Sequence, residues 1–238
     1  KKIIIVEDFG NNNFDKIFKE HQVYSLLKLA VDNLIIIQNS LVEEDLNKLN
    51  KYTYNDLKNE ISEFVDYYIP YKKISNFQAD RFYQSWENSY NSQKFDFSSL
   101  IHKDFEFINL ILLNENNLHL KCGIIDFQSA FIGFKGWDLF SILENPRINF
   151  TRKYNEDLIK FFYESITINN DFFEFRNQYY LLNLCRQSRL LGRWIKLFKN
   201  GKKEYLKYVN ITTKRIISSM NNLPSSDLKT IYENIFIN

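Results

Sequence analysis

Three polar side chains that could carry out acid–base or metal chemistry stand together in one short segment. His102, Asp104 and Asn109 lie within LIHKDFEFINLILL, residues 100–113, which is apolar at both ends. Loops that project from a rigid core often carry functional groups. A carboxylate there can accept a proton from a hydroxyl nucleophile, whereas a histidine is more often structural, so we interpret His102 as support for the loop. The competing interpretation is an ordinary turn whose aspartate bonds nearby backbone.

A predicted β-hairpin brings a second carboxylate to the same place. The apolar run 109–113 is followed by the turn NENN and by residues 118–126, where apolar and polar side chains alternate as in a strand. Because hairpin arms are antiparallel, Asn109 at the start of one arm and Asp126 at the end of the other should be neighbours. Two such oxygen ligands suit Mg²⁺, and their alternative role is to cap the hairpin end. With Asp104 as the base, these parts are typical of phosphoryl transfer.

The elements that must position this hairpin are helices. Helical spacing of apolar residues, caps and breakers predict helices on both sides of it, the second of them stopping at Pro70 because proline cannot continue a helix. The predicted spans are 14–39, 56–69, 75–90, 137–143, 154–166, 171–199, 203–220 and a tail from about residue 226. The fold class is therefore α+β, mostly α, with a small β-hairpin that carries the catalytic and metal-binding residues.

Composition limits the classes of partner. The 238 residues are 45% hydrophobic and 17% aromatic, enough for a sizeable core, and the net charge is only +2. That balance does not favour nucleic acid or a membrane as a partner, and no apolar run approaches the roughly 20 residues of a membrane span. Cys122 and Cys185 have no metal-ligand spacing and are few, which favours a reducing compartment. We expect a cytoplasmic monomer that binds a small molecule.

Two motifs together resemble a known superfamily. HKDFEFIN followed by IIDFQ is similar to the H-x-D-x-x-x-x-N catalytic loop and metal-binding aspartate of aminoglycoside phosphotransferase and choline-kinase-like enzymes, and GWDLFSIL is similar to the helix that follows them. VEDFGNNNF resembles the family's hinge, NEISEFVDYYI its acidic helix, and CRQSRLLGRWIKLFKNGKKEYL its basic helix. The resemblance runs from the hinge to about residue 210. It is strongest to bacterial anomeric kinases that phosphorylate N-acetylmuramate and N-acetylglucosamine in cell-wall sugar salvage.

The resemblance implies ATP and Mg²⁺ as cofactors and a kinase-like C-terminal lobe over 11–238. Its catalytic loop would be 102–109 and its metal-binding segment 124–128. Residues 1–10 would be the hinge strand, the remnant of a link to an N-terminal lobe that this sequence lacks, so these 238 residues alone are expected to bind ATP poorly. The resemblance assigns adenine binding to the backbone of Glu7 and Phe9, loop support to Asp138, and substrate contact to Glu106 and Gln128. A structural alternative for Asp138 is a favourable charge at a helix N-terminus.

The catalytic loop departs from the pattern of these kinases near where a sugar should bind. Close relatives commonly read H-R-D-[FY]-H-S-R-N, where this chain has Lys103 and then Glu106, Phe107 and Ile108, and Ser129 replaces a common aspartate. An amino sugar is favoured, with an aminoglycoside, choline or an inactive binding module as alternatives.

A set of cations near the C-terminus has two interpretations. Arg186, Arg189, Arg193 and Lys196 share one helical face. On general grounds this is a solvated basic face. The functional alternative is that Arg186 and Arg189 bind an anionic substrate group through their guanidinium forks.

Overall fold

Helices make up most of the protein, and two short antiparallel sheets lie in the middle of the chain. The computed structural model describes residues 7–19, 22–41, 46–115 and 119–237. Its helices are α1 (Phe14–Ile17), α2 (Val23–Ser40), α3 (Tyr54–Glu63), a π-helix (Phe64–Tyr68), α4 (Ile69–Lys72), α5 (Ala79–Asn91), α6 (Trp137–Leu143), α7 (Asn155–Ser165), α8 (Phe172–Lys199), α9 (Val209–Asn221) and α10 (Asp227–Phe236), with 3-10 turns at Phe107–Asn109 and Lys203–Tyr208. Its strands are β1 (Ser99–Ile101), β2 (Leu110–Glu115), β3 (His119–Ile124) and β4 (Phe131–Gly133). The predicted fold class, mostly helical α+β, is confirmed.

The predicted hairpin is the β2–β3 pair. Its register sets Leu110 opposite Ile124 and Ile111 opposite Gly123. The second sheet pairs β1 with β4, Ser99 facing Gly133, and was not predicted from the sequence. Its strands flank the hairpin in the chain. The segment that carries Asp104 is therefore held between two sheets.

The long helix α8 forms the centre of the core. Asp171 caps its start by accepting the backbone N–H of Glu174 at 2.8 Å, and most of its inward residues are buried. At Gly192 the helix lies so close to α3 that a Cβ atom would stand 2.1 Å from the carbonyl oxygen of Glu63. Only glycine fits such an approach. This close contact places the charged residues of α3 directly beside those of α8.

Three predicted helix boundaries are wrong. The span 14–39 is two helices, since Phe18 leaves the helix and packs its ring 6.0 Å from that of Phe107. The next helix does not stop at Pro70: a π-helix precedes the proline, and the helical chain continues to Lys72, where the left-handed Lys73 with a φ of 55° ends it. The third helix begins at Ala79, four residues later than predicted. Tertiary packing overrides local periodicity in such places.

The predicted hinge falls mainly outside the described residues. Residues 1–6 are among those not described, and residues 7–10 form no regular element. The hinge strand therefore stays a prediction. Among the helices of the described chain, we find none that combines the length and apolar character needed to cross a bilayer.

Candidate active site

The hairpin brings Asn109 and Asp126 to the same end. The N–H of Ile125, the residue before Asp126, donates to the carbonyl oxygen of Asn109 at 3.1 Å. Asp126 is exposed and has a left-handed backbone with a φ of 71°. A non-glycine residue in this region stores strain, and such strain is concentrated at functional sites. Its Oδ1 accepts a hydrogen bond from Gln128 Nε2 at 2.9 Å.

Asp104 is tied to the same point through Asn109. The side-chain Nδ2 of Asn109 donates to the backbone oxygen of Asp104 at 2.9 Å. With the amide nitrogen engaged, the amide oxygen Oδ1 has no hydrogen-bond partner among the described residues, and it remains available as a ligand. The three residues that the sequence singled out therefore lie together.

A buried carboxylate anchors the loop in front of Asp104. Asp138, in the first turn of α6, accepts the backbone N–H of His102 at 2.7 Å and that of Lys103 at 3.0 Å. Lys103 has a φ of 74°, so these bonds hold a conformation that lysine disfavours. Burial raises the pKa of Asp138 to about 7, although the two N–H donors and Arg186 act to lower it. The contact expected for Asp138 is present.

His102 joins the two halves of the site. Its Nε2 lies 2.9 Å from the carbonyl oxygen of Ile125, so the neutral tautomer with the proton on Nε2 fits the structure. Burial lowers the pKa of His102, against the opposing effects of that carbonyl, Asp104 and Asp126. The imidazole thus connects the loop to the end of the hairpin through this contact.

A cavity of about 480 Å³ opens in front of these groups. Carboxylates and amide from the loop and hairpin form one wall, and arginines and aromatic rings from α8 and its following turn form the other. Trp194 and Tyr205 line it with their rings stacked, centroids 5.5 Å apart. The lining includes Asp104, Glu106, Asn109, Asp126, Arg147, Arg189, Arg193, Trp194 and Tyr205.

Glu106 at the base of the cavity is buried in a cluster of cations. Arg186, whose side chain is 1% exposed, binds Glu106 Oε1 at 2.8 Å, and Arg147 contacts the other oxygen. Burial lowers the pKa of Arg186 to about 10, with Glu106 opposing that shift. The interpretation of Arg186 as part of a solvated basic face is wrong, because its place on α8 faces the core and its charge is compensated by Glu106.

The other three residues of the predicted basic face, Arg189, Arg193 and Lys196, are paired with glutamates of the acidic helix α3. Arg189 lies 3.6 Å from Glu60, and Arg193 lies 2.6 Å from Glu63. Spacings of three and four residues put each set on one helical face, so the sequence contained this signal on both helices. Arg147, Trp194 and Tyr205 were missed. Arg147 lies in a loop between helices, where no periodicity marks it.

No model of a protein family matches the sequence. The N-acetylmuramate/N-acetylglucosamine kinase of Neisseria meningitidis serogroup B is 22% identical over 216 residues, 85% of this chain and 62% of the relative. The enzyme of the same name from Caulobacter vibrioides is 25% identical over 155 residues, 61% of this chain and 42% of the relative. The chain thus spans less than two thirds of the length of these relatives.

One solved structure is similar to this chain in its fold. Spectinomycin phosphotransferase APH(9)-Ia, in complex with ADP and spectinomycin, matches 90% of this chain and 69% of its own with a TM-score of 0.51 at 16% identity. The resemblance to the aminoglycoside phosphotransferase and choline-kinase-like superfamily is confirmed. At this identity, the structural match speaks for the kinase-like fold alone.

The remaining residues expected from the superfamily have these positions. Glu7 is exposed, and Phe9 packs its ring against Gly123 of β3, where a Cβ would be 2.6 Å from the ring. The chain just after them pairs with the edge of β2, since the N–H of Leu112 donates to Asn12 at 2.9 Å. Glu7 and Phe9 thus lie on the segment leading to the hairpin. Their part in adenine binding stays a prediction.

The donor set fits a hard divalent cation. The end of the hairpin offers one amide oxygen and one carboxylate, and the described residues contain no cluster of three or more histidine, cysteine, aspartate or glutamate side chains that could hold a metal. A site of two protein ligands suits Mg²⁺, which retains water and phosphate oxygens around it, rather than Zn²⁺.

Proposed function

We propose that this protein is an ATP- and Mg²⁺-dependent kinase of small molecules, and that its acceptor is the anomeric hydroxyl of an N-acetylated amino sugar. The observation that carries the proposal is the meeting of Asp104, Asn109 and Asp126 at one end of the hairpin, in a cavity large enough for a sugar. The names of the two sequence relatives support the choice of acceptor.

Each group has a separate role. Asp104 orients the acceptor hydroxyl and accepts its proton. Asn109 holds the backbone of Asp104 with its amide nitrogen and would bind Mg²⁺ with its amide oxygen, together with Asp126. When bound, Mg²⁺ neutralises charge on the phosphate groups. His102 and Asp138 keep the loop in the conformation that aims Asp104 at the cavity.

The nucleotide would approach from the segment before α1. The backbone of Glu7 and Phe9 is proposed to bind adenine, since this segment packs on the half of the hairpin that ends at Asn109 and Asp126. Asn109 and Asp126 would hold Mg²⁺ beside the phosphate groups of a nucleotide bound there.

The cavity walls favour a sugar over a polycation. Stacked aromatic rings such as those of Trp194 and Tyr205 provide an apolar face for a sugar ring, and polar groups around them fix its orientation. Of the carboxylates that line the cavity, Glu106 is already paired with Arg147 and Arg186, so it offers little attraction to a cationic aminoglycoside.

Loss of the metal ligand is the sharpest test. In the natural full-length protein, Asp126→Ala should reduce kcat by at least about a thousandfold, because the phosphoryl transfer site loses its only proposed carboxylate ligand of Mg²⁺. Asp157→Ala, the same change at an exposed position on α7 outside the cavity, is the matched control. Turnover is measured by ADP release with Mg²⁺ and N-acetylglucosamine. Wild-type rates in the Asp126 variant would refute the site.

A substrate panel tests the acceptor separately. N-acetylmuramate, N-acetylglucosamine, choline and an aminoglycoside are each offered with ATP and Mg²⁺, and we expect the sugars to be phosphorylated at the anomeric position, as detected by NMR of the product. Phosphorylation of choline or the aminoglycoside alone would exclude the sugar assignment while leaving the kinase assignment in place.

A further inference from the structure

A second cavity lies next to the candidate active site and is lined by cations. Its volume is about 470 Å³, close to that of the first cavity. Arg147 and Asn149 form one side, and Lys207, Asn210 and Lys214 form the other. No carboxylate is among the residues that line it in the described part of the chain. With a net charge of only +2 over the whole protein, such a concentration of one sign is a local feature.

One helical segment brings the lysines and the asparagine of this cavity together. The 3-10 turn Lys203–Tyr208 continues directly into α9, Val209–Asn221. Lys207, Asn210 and Lys214 are spaced by three and four residues, which places them on one face. That face is turned toward the loop that carries Arg147. The cavity is therefore bounded by donors from two separate elements.

The lysines of this cavity differ from the arginines of α8 in having no acidic partner. Arg186, Arg189 and Arg193 each lie within 3.6 Å of a glutamate oxygen. Neither Lys207 nor Lys214 has a carboxylate within salt-bridge distance among the described residues; Lys207 only lies 4.9 Å from the centre of the Tyr208 ring. Their charge is available to a ligand without breaking an ion pair.

Arg147 is shared by both cavities. It contacts Glu106 at the base of the first, lines the second, and stacks over Trp194 with its guanidinium carbon 5.3 Å from the ring centre. Trp194 lines the first cavity and packs 5.2 Å from Tyr208, which lines the second. One arginine and this aromatic pair thus lie between the two cavities.

We propose that the cavity formed by Arg147, Lys207 and Lys214 is an anion-binding subsite that takes a carboxylate or phosphate group. Ammonium and guanidinium donors around a cavity without carboxylates recognise such groups by charge-assisted hydrogen bonds. The anion is carried either by the acceptor itself, an assignment that rests on the proposed function, or by a separate small ion bound beside it. In both cases Lys207 and Lys214 supply the charge.

The test is the binding of defined probes to the natural full-length protein. Isothermal calorimetry is performed with inorganic phosphate, with N-acetylmuramate, which bears a carboxylate, and with the neutral N-acetylglucosamine. The double variant Lys207→Gln, Lys214→Gln removes both charges and keeps hydrogen-bonding capacity. Lys203→Gln is the matched control, since Lys203 is an exposed lysine of the same segment and lines neither cavity.

The double variant should bind the anionic probe about tenfold more weakly than wild type, since two solvent-facing charge pairs contribute about threefold each. If N-acetylmuramate alone is affected, the acceptor carries the anion, and the ratio of kcat/KM for N-acetylmuramate to that for N-acetylglucosamine falls by the same factor. If phosphate alone is affected, the anion is separate. Either result supports the subsite.

Three results would overturn the subsite: no binding of either anionic probe to wild type, equal affinity of wild type and double variant for both, or an equal loss in Lys203→Gln. Failure of the proposed function looks different. In that case neither sugar is phosphorylated by wild type, yet binding of an anionic probe still depends on Lys207 and Lys214.

Discussion

Replacement of Asp138 by asparagine probes how the loop that carries Asp104 is held. Asp138 is 2% exposed, and its two oxygens accept the N–H groups of His102 and Lys103 at 2.7 and 3.0 Å. Asparagine keeps the shape of the side chain but has one acceptor oxygen, so its NH₂ group must face one of the two donors. One buried N–H is then left without a partner.

The expected cost follows from these two bonds. A hydrogen bond to a charged group contributes about 1.5–3 kcal/mol, and a buried donor left unpaired costs about 1–3 kcal/mol. The two figures partly count the same loss and are not simply added. We therefore expect Asp138→Asn to lower the free energy of unfolding by about 3 kcal/mol. Lys103 is then free to leave its left-handed conformation, which moves the neighbouring Asp104.

The measurement is urea unfolding at about pH 8.5, where Asp138 is ionised, because burial raises its pKa to about 7. Amide hydrogen exchange at His102 and Lys103 reports the loop directly. Ser141→Ala is the matched control: Ser141 is buried on the same helix, and within the described part of the chain its hydroxyl donates only to the carbonyl oxygen of Trp137, at 3.0 Å. If Asp138→Asn costs no more than this control and both amides exchange as in wild type, the anchoring role is refuted.

Two further changes test the electrostatics of the site. Relative to the non-titrating His102→Gln, wild type should lose stability as the pH falls below 6.5, by at most about 1.4 kcal/mol per pH unit, because burial lowers the pKa of His102 and the unfolded chain takes up the proton first. Urea titrations at several pH values check this, and parallel pH profiles would contradict it; any titration of Asp138 common to both proteins cancels in the comparison. Glu106→Gln should lower the free energy of unfolding by about 3–5 kcal/mol, since it leaves Arg186 buried without its anion, and Arg186→Met in the same chain should restore most of it. If Glu106→Gln alone is as stable as wild type, Glu106 does not stabilise the fold by compensating the charge of Arg186.

The part of the site that the sequence predicts is the part set by local rules. Alternation identified β3, antiparallel pairing placed Asn109 opposite the end of that strand, and the observed register agrees with both. The bond from Asp138 to the loop spans 36 residues and could be expected only through resemblance to the superfamily. No periodicity in this chain connects the two.

What escaped prediction depends on tertiary packing. β1 and β4 have three residues each, too few for a periodic signal. Pro70 was predicted to end a helix, but it lies in the first turn of α4, directly after the π-helix, where proline is tolerated. Arg186 lies on a face that looks solvated in sequence, and it is buried only because Glu106, 80 residues earlier, meets it there.

Glu106 determines which cations of the site are available to an anion. Its carboxylate engages Arg186 and Arg147, while Glu60 and Glu63 engage the next arginines of α8. To bind an anion, the arginines of α8 would have to give up a carboxylate partner, which largely cancels the gain. Arginine forks on α8 are therefore better suited to building the wall of the cavity than to capturing a free anion. Lys207 and Lys214, which line the second cavity before and after the start of α9, can bind an anion without such an exchange. Recognition of an acceptor's anionic group, as distinct from its reacting hydroxyl, would then occur on an element that has no part in the chemistry.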